Sequence, residues 1–122
     1  MFASQNECVV ESFDSNEGWC EKTRAFLAEH ALDKWVTISA TESVEPTTTA
    51  DFIIWDFDSG SKRELLMPLA YANLAPAGVM YVDDMQSPGI EAACNALGGE
   101  RISDTPRDGF SRYGTFVQKA GY

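Results

Sequence analysis

Strand-like and helix-like segments alternate along the 122 residues and predict an α/β fold: a mostly parallel sheet with flanking helices and right-handed crossovers. Two further observations support it. Phe52–Trp55 and Val79–Val82 are apolar at consecutive positions, as expected of strands covered on both faces. A composition of 44% hydrophobic and 11% aromatic residues suits one ordinary core, and the length leaves room for a single domain, residues 1–122.

The elements follow in order. Cys8 to Phe13 reads as a first strand, interrupted by Glu11 and Ser12, and Asp14, Ser15 and Asn16 offer N-caps for a helix. Trp19, Thr23, Phe26, Leu27 and His30 recur at helical spacing, which predicts a helix from about Glu17 to about Ala31 with that stripe turned to the core and His30 as a partly buried packing residue. Trp35–Ser39 is β-branched and aromatic and gives a second strand. The Pro- and Thr-rich residues Val44–Thr49 form a connector to Phe52–Trp55, a strand expected in mid-sheet. Lys62–Leu74 is a helix that Pro68 must kink or restart. Val79–Val82 is the next strand, and Pro88–Leu97 is a helix opened by proline and ended by Gly98 and Gly99. Thr115–Lys119 closes the chain as a strand for which an antiparallel direction is open. Trp19, Trp35 and Trp55 are expected in the core, and Arg107–Arg112 reads as a solvated turn whose arginines could meet an anionic substrate.

Nineteen acids against nine bases leave a net charge of -10, with twelve of the acids and three of the bases in residues 1–60. No cluster of Lys and Arg is present to meet a phosphate backbone, so neither nucleic acid nor an anionic membrane is expected as a partner. Three cysteines without CxxC spacing and one histidine argue against a disulfide framework and against zinc. With no basic-then-apolar leader and no apolar run near membrane-spanning length, the expectation is a cytoplasmic protein with reduced thiols.

Three apolar strands share one feature: an acid follows each. Asp14 follows Phe13, Asp56 follows Trp55, and Asp83 with Asp84 follows Val82. In a parallel sheet these are carboxyl ends, the edge at which open α/β sheets bind ligands. Helix capping accounts for one such acid readily, but not for all of them together with Asp58. Carboxylates grouped without histidine or thiolate suit hard cations such as Mg²⁺, or the hydroxyls of a ribose.

These residues resemble the class I S-adenosylmethionine-dependent methyltransferases. Residues 8–38 look like that family's second strand, following helix and third strand. The stretch DFIIWDFDSG looks like its fourth strand, and LAPAGVMYVDDMQSPGIEAACNAL like its fifth, with Ala77 in place of the first glycine of a Leu-x-Pro-Gly-Gly run-in. The resemblance implies a Rossmann-like fold, S-adenosylmethionine as cofactor, and cofactor binding by Asp14, Ser15 and Asp56. Its catechol-type O-methyltransferases further imply a small-molecule substrate and a divalent cation such as Mg²⁺ on Asp56, Asp83 and Asp84, although Asp84 stands where asparagine is usual. No glycine here forms the family's Gly-x-Gly-type loop, and the first strand and helix are missing; that strand normally lies between the second and fourth. Its absence leaves two edges that must meet each other, pair with another chain or stay exposed, and a homo-oligomer through exposed edges is the expectation. The alternatives are a non-catalytic truncated homologue that acts as an oligomeric or binding module, and a receiver-type phosphoacceptor at Asp56.

Overall fold

The structure is a computed structural model that describes residues 9–41, 49–57 and 61–121. Cys8, Asp58 and most of the expected connector lie outside the described residues. The chain divides into two compact units, Met1–Val44 and Glu45–Tyr122.

The first unit is a β-α-β element. Strand β1 (Val10–Asp14) leads into helix α1 (Glu17–Glu29), and β2 (Val36–Ala40) returns parallel to β1, from Val10 opposite Val36 to Asp14 opposite Ala40. Asn16 caps α1, its side chain accepting from the Trp19 amide at 3.0 Å. The helix is where the periodicity predicts it, but it is rotated. Cys20 and Leu27 are buried, whereas Trp19, Phe26 and His30 are exposed. Leu27 of the expected stripe is buried as predicted, but the face it shares is completed by Cys20 rather than by Trp19 and Phe26, about 100° of helix away. Phe26 and His30 stack on each other at 4.2 Å, and Lys22 lies over the Trp19 ring, so the exposed aromatics are covered in part by their own helix. Trp35 is half-buried.

The second unit is a four-stranded sheet in the order β3 (Ala50–Trp55), β4 (Leu74–Val82), β6 (Thr115–Gln118), β5 (Glu100–Asp104). Strands β3 and β4 are parallel, and β6 runs antiparallel to both β4 and β5, so the sheet is mixed and the closing strand takes the antiparallel direction. Helix α2 (Ser61–Ala72) follows β3, and α3 (Pro88–Asn95) follows β4 with Pro88 in its first turn. Helix α2 runs through Pro68 without restarting. The proline is exposed and forgoes one main-chain bond to the turn before it. Strand β5 has no counterpart among the expected elements. All five of its residues, Glu-Arg-Ile-Ser-Asp, are exposed, so it carries no apolar alternation; its pairing with β6 holds it.

The core forms around β4, where Met80 and Val82 are fully buried with Met67, Leu74, Met85 and Val117. Strand β3 is not in mid-sheet as expected. Among the described residues it pairs with β4 alone, and although Trp55 is buried, Phe52 and Ile54 are 51% and 67% exposed. An apolar run alone does not reveal whether both faces receive a cover. At the other end of the unit, the Lys119 ammonium donates to the carbonyls of Tyr71, Ala72 and Leu74, at 3.4, 3.3 and 2.8 Å. It thus holds the carboxyl terminus of α2, where a cation is favoured. No helix of the described residues is long and apolar enough to cross a membrane.

Ala77, where the resemblance placed a glycine, has φ of 64°. An L-residue in the left-handed region is strained by about 1–2 kcal/mol, and glycine is not, though its unfolded chain is more flexible. Ala77→Gly is therefore expected to raise unfolding stability by about 0.5–1 kcal/mol in urea denaturation, the reverse of an ordinary alanine-to-glycine change.

Candidate functional site

The parallel register of β3 and β4 builds the site. Trp55 lies opposite Val82, so the residues that follow, Asp56 and Asp83, leave the sheet side by side, and the Asp83 amide donates to the Trp55 carbonyl at 3.2 Å. Asp84 adopts φ of 58°, a left-handed conformation that aspartate tolerates better than most residues. The carboxylates of Asp56, Asp83 and Asp84 each offer an oxygen within 4.8 Å of the others. Within the second unit the expected convergence of acids at the carboxyl ends of the strands is therefore observed.

Three carboxylates at that spacing repel one another. Arg63, in the first turn of α2, answers them: it bonds Asp56 Oδ1 at 3.1 Å through Nη2, bonds Asp84 Oδ2 through Nη1, and donates from Nε to the Phe57 carbonyl at 3.2 Å. Its side chain is only 11% exposed. The Trp55 indole N–H donates to the Arg63 carbonyl at 3.1 Å, so the buried tryptophan fixes the backbone from which the guanidinium reaches. The two bridged acids are driven apart in acidity. Hydrogen bonds from Gln86 and Arg63 hold Asp84 below the usual carboxylate range. Desolvation raises Asp56, with the neighbouring Asp83 and Asp84 adding to the rise and Arg63 opposing it.

The opposite wall comes from the loop between β5 and β6. Asp108 folds that loop on itself, accepting from the amides of Phe110 and Arg112 at 2.8 and 2.9 Å and from Arg112 Nε at 2.8 Å. The loop is joined to the β4 end by two bonds, Met85 N–H to the Tyr113 carbonyl at 2.8 Å and Tyr113 N–H to Gln86 Oε1 at 3.2 Å. Between them the Tyr81 hydroxyl donates to Asp83 at 3.2 Å, and burial and the nearby Asp83 charge raise its pKa. Gly114 is required here because a Cβ at that position would overlap the Tyr81 hydroxyl. A cavity of about 210 Å³ remains between the β4 end and the loop. The segment Arg107–Arg112, read as a solvated turn with arginines open to an anionic substrate, supplies part of this wall through Asp108 and Arg112, and Tyr113 directly follows it.

Asp14 stands at the carboxyl end of β1 in the first unit. One of its carboxylate oxygens accepts from the Asn16 amide at 2.8 Å, and its carbonyl accepts from Thr41 at 3.0 Å. The side chain is exposed, and Ser15 beside it is half-buried. Tyr81, Arg63, Thr105 and Gly114 were not singled out from sequence. Only Arg63, seven residues beyond Asp56, carried a signal in its charge; the others become visible when β6 runs back beside β4.

Neither a protein-family model nor a curated protein matches the sequence. Solved structures match in number. One, described as an rRNA methylase from Clostridium thermocellum, superposes with a TM-score of 0.74 at 11% identity over 92% of this chain and 73% of its own. A SAM-dependent O-methyltransferase from Thermotoga maritima gives 0.72 at 13% identity over 92% of this chain and 50% of its own. The N-methyltransferase NodS from Bradyrhizobium japonicum, in complex with S-adenosyl-L-homocysteine, gives 0.61 at 9% identity over 91% of this chain and 66% of its own. This chain therefore spans between half and three quarters of those neighbours. By its order of elements and these superpositions, the chain has the class I S-adenosylmethionine-dependent methyltransferase-like fold.

Proposed function

We propose that the chain is a methyltransferase of the S-adenosylmethionine-dependent type acting on a small molecule. The observation that carries this is the gathering of Asp56, Asp83 and Asp84 at adjoining strand ends beside a cavity. The residues fit the cofactor at its ribose. Asp14 has one carboxylate oxygen engaged by its own turn and a second that can accept from ribose hydroxyls, with Ser15 alongside. No Gly-x-Gly-type loop is in the sequence to receive the methionine end. When bound, the cofactor supplies an electrophilic methyl group. Within this chain Asp83, steadied by Tyr81, orients the acceptor's O–H or N–H, and the loop wall limits its approach. Such positioning is the main catalytic device open to these residues. Buried unpaired Cys20 and Cys94 accord with a reducing, cytoplasmic setting.

Calorimetric titration of the folded chain with S-adenosylmethionine is expected to give heat at millimolar ligand. Asp14→Ala is expected to weaken that binding about tenfold, the effect of losing a hydrogen bond to a charged group. No heat from folded protein removes the reading.

The donor chemistry of the three carboxylates also admits a divalent cation, as the resemblance implied. Arg63 argues against a resident one. Its guanidinium engages two of the three acids, so an ion would have to displace a largely buried cation. Magnesium at millimolar concentration is expected to leave the melting temperature of the wild type unchanged and to raise that of Arg63→Met, in which the acids face each other uncompensated. An equal rise in both would return the metal to the site.

A second reading draws on β3. Among the described residues one edge of β3 pairs with no strand, and this edge with the exposed Phe52 and Ile54 favours association through sheet edges, with the chain serving as an oligomeric or binding module. Sedimentation across a hundredfold concentration range is expected to show a self-associating species, and Ile54→Lys is expected to dissociate it; a clean monomer throughout excludes the homo-oligomer.

A further inference from the structure

The cavity of the second unit has a definite charge pattern once its pairs are counted. Asp84 is neutralised by Arg63 and also takes the Gln86 amide. Asp108 and Arg112 neutralise each other, and the remaining capacity of Asp108 is used by two backbone amides of its own loop. Among the described residues, Asp83 is then the carboxylate of this cavity that no cation answers. Its partner is the neutral Tyr81 hydroxyl, which satisfies one oxygen and leaves acceptor capacity toward the cavity.

The walls beside it are aromatic. Tyr81 and Tyr113 both line the space, and Arg107 already lies 4.1 Å over the Tyr113 ring, so one of these rings holds a cation in the structure. The volume, about 210 Å³, suits a small organic group. An anion entering here would meet Asp83, and the cations at its rim are already engaged, Arg112 by Asp108 and Arg107 by the Tyr113 ring and the Ser111 carbonyl. A neutral alcohol could donate one hydrogen bond to Asp83, whereas a protonated amine donates and also supplies the missing charge.

We infer that this cavity is a subsite for a small primary or secondary amine whose nitrogen sits on Asp83 between the two tyrosines. Calling that amine the methyl acceptor rests on the function proposed above; its binding does not. Methyl transfer to it would first need the bound ammonium to give one proton through Asp83 to solvent, which frees the nitrogen lone pair. That pair would then form the C–N bond as the C–S bond of S-adenosylmethionine breaks with its electron pair left on sulfur, and the product would leave as the methylated ammonium.

The test uses three probes of matched size, phenethylamine, 2-phenylethanol and phenylacetate, titrated into the full chain and followed by amide NMR. Phenethylamine is expected to shift the Asp83, Thr105 and Gly114 amides with millimolar affinity. The alcohol is expected to bind about tenfold more weakly, and the carboxylate not at all, because the charge-assisted bond is lost or reversed. Asp83→Asn is expected to reduce amine affinity about tenfold. Should that variant fail to fold, Arg112→Ala provides the second arm, since removing the neighbouring positive charge is expected to tighten the amine severalfold. Phenylacetate binding as tightly as the amine, shifts remote from Asp83, or no shifts up to about 20 mM amine would overturn the assignment. Heat with S-adenosylmethionine but no amine shifts removes this inference alone, and amine binding without cofactor binding removes only the methyltransferase reading.

Discussion

The second unit depends on how one guanidinium bridges two of three converging carboxylates. The parallel pairing of β3 with β4 forces Asp56 and Asp83 to emerge together, and the left-handed turn at Asp84 brings a third acid to the same place. Without a cation that arrangement is self-repelling, and desolvation together with the neighbouring acids already disfavours ionisation of the exposed Asp56. Arg63 removes the conflict from within and also ties the end of β3, the start of α2 and the end of β4 into one corner. Breaking such a partly buried network costs more than losing an exposed pair, because the remaining charges stay unanswered.

That corner also shows what could be read from sequence. Acids directly after apolar runs place Asp56, Asp83 and Asp84 at strand ends by local pattern alone, and parallel pairing then brings them together. Arg63 belongs to the same local stretch, but its role depends on where α2 lies against the sheet, which spacing does not encode. Tyr81, Thr105 and Gly114 depend on a longer-range event, the antiparallel return of β6 between β4 and β5. Strand β5 was illegible for the same reason: its residues are all exposed, and only the partner strand makes them a strand.

The misread faces have one physical origin. Periodicity reveals which residues share a face, not whether anything covers it. On α1 the stripe was legible and its Leu27 is buried, yet the aromatic members Trp19 and Phe26 are exposed and Cys20 is buried instead. On β3 the apolar run was legible, yet only its Trp55 face is packed. Phe52 and Ile54 remain among the large exposed apolar side chains of the chain. Both departures involve hydrophobic surface that a composition suited to a closed core had led one to expect inside.

This exposed surface bears on how the fold is used. The sequence places the family's second and third strands in β1 and β2, and its fourth and fifth in β3 and β4. Among the described residues β1 pairs only with β2, and β3 only with β4. The strand absent from the resemblance is the one that would adjoin β1 and β3, and these are the strands left with an open edge. Strand edges of this kind are sites of pairing, and on β3 one face, with Phe52 and Ile54, is apolar and exposed as well. The acid corner, by contrast, is complete without the absent strand: each bond of Arg63, Gln86 and Tyr81 to Asp56, Asp83 and Asp84 is made inside the second unit. The acid corner is thus self-sufficient in its polar contacts, and among the described residues of the second unit what stays uncovered is hydrophobic, on the face of β3 that carries Phe52 and Ile54.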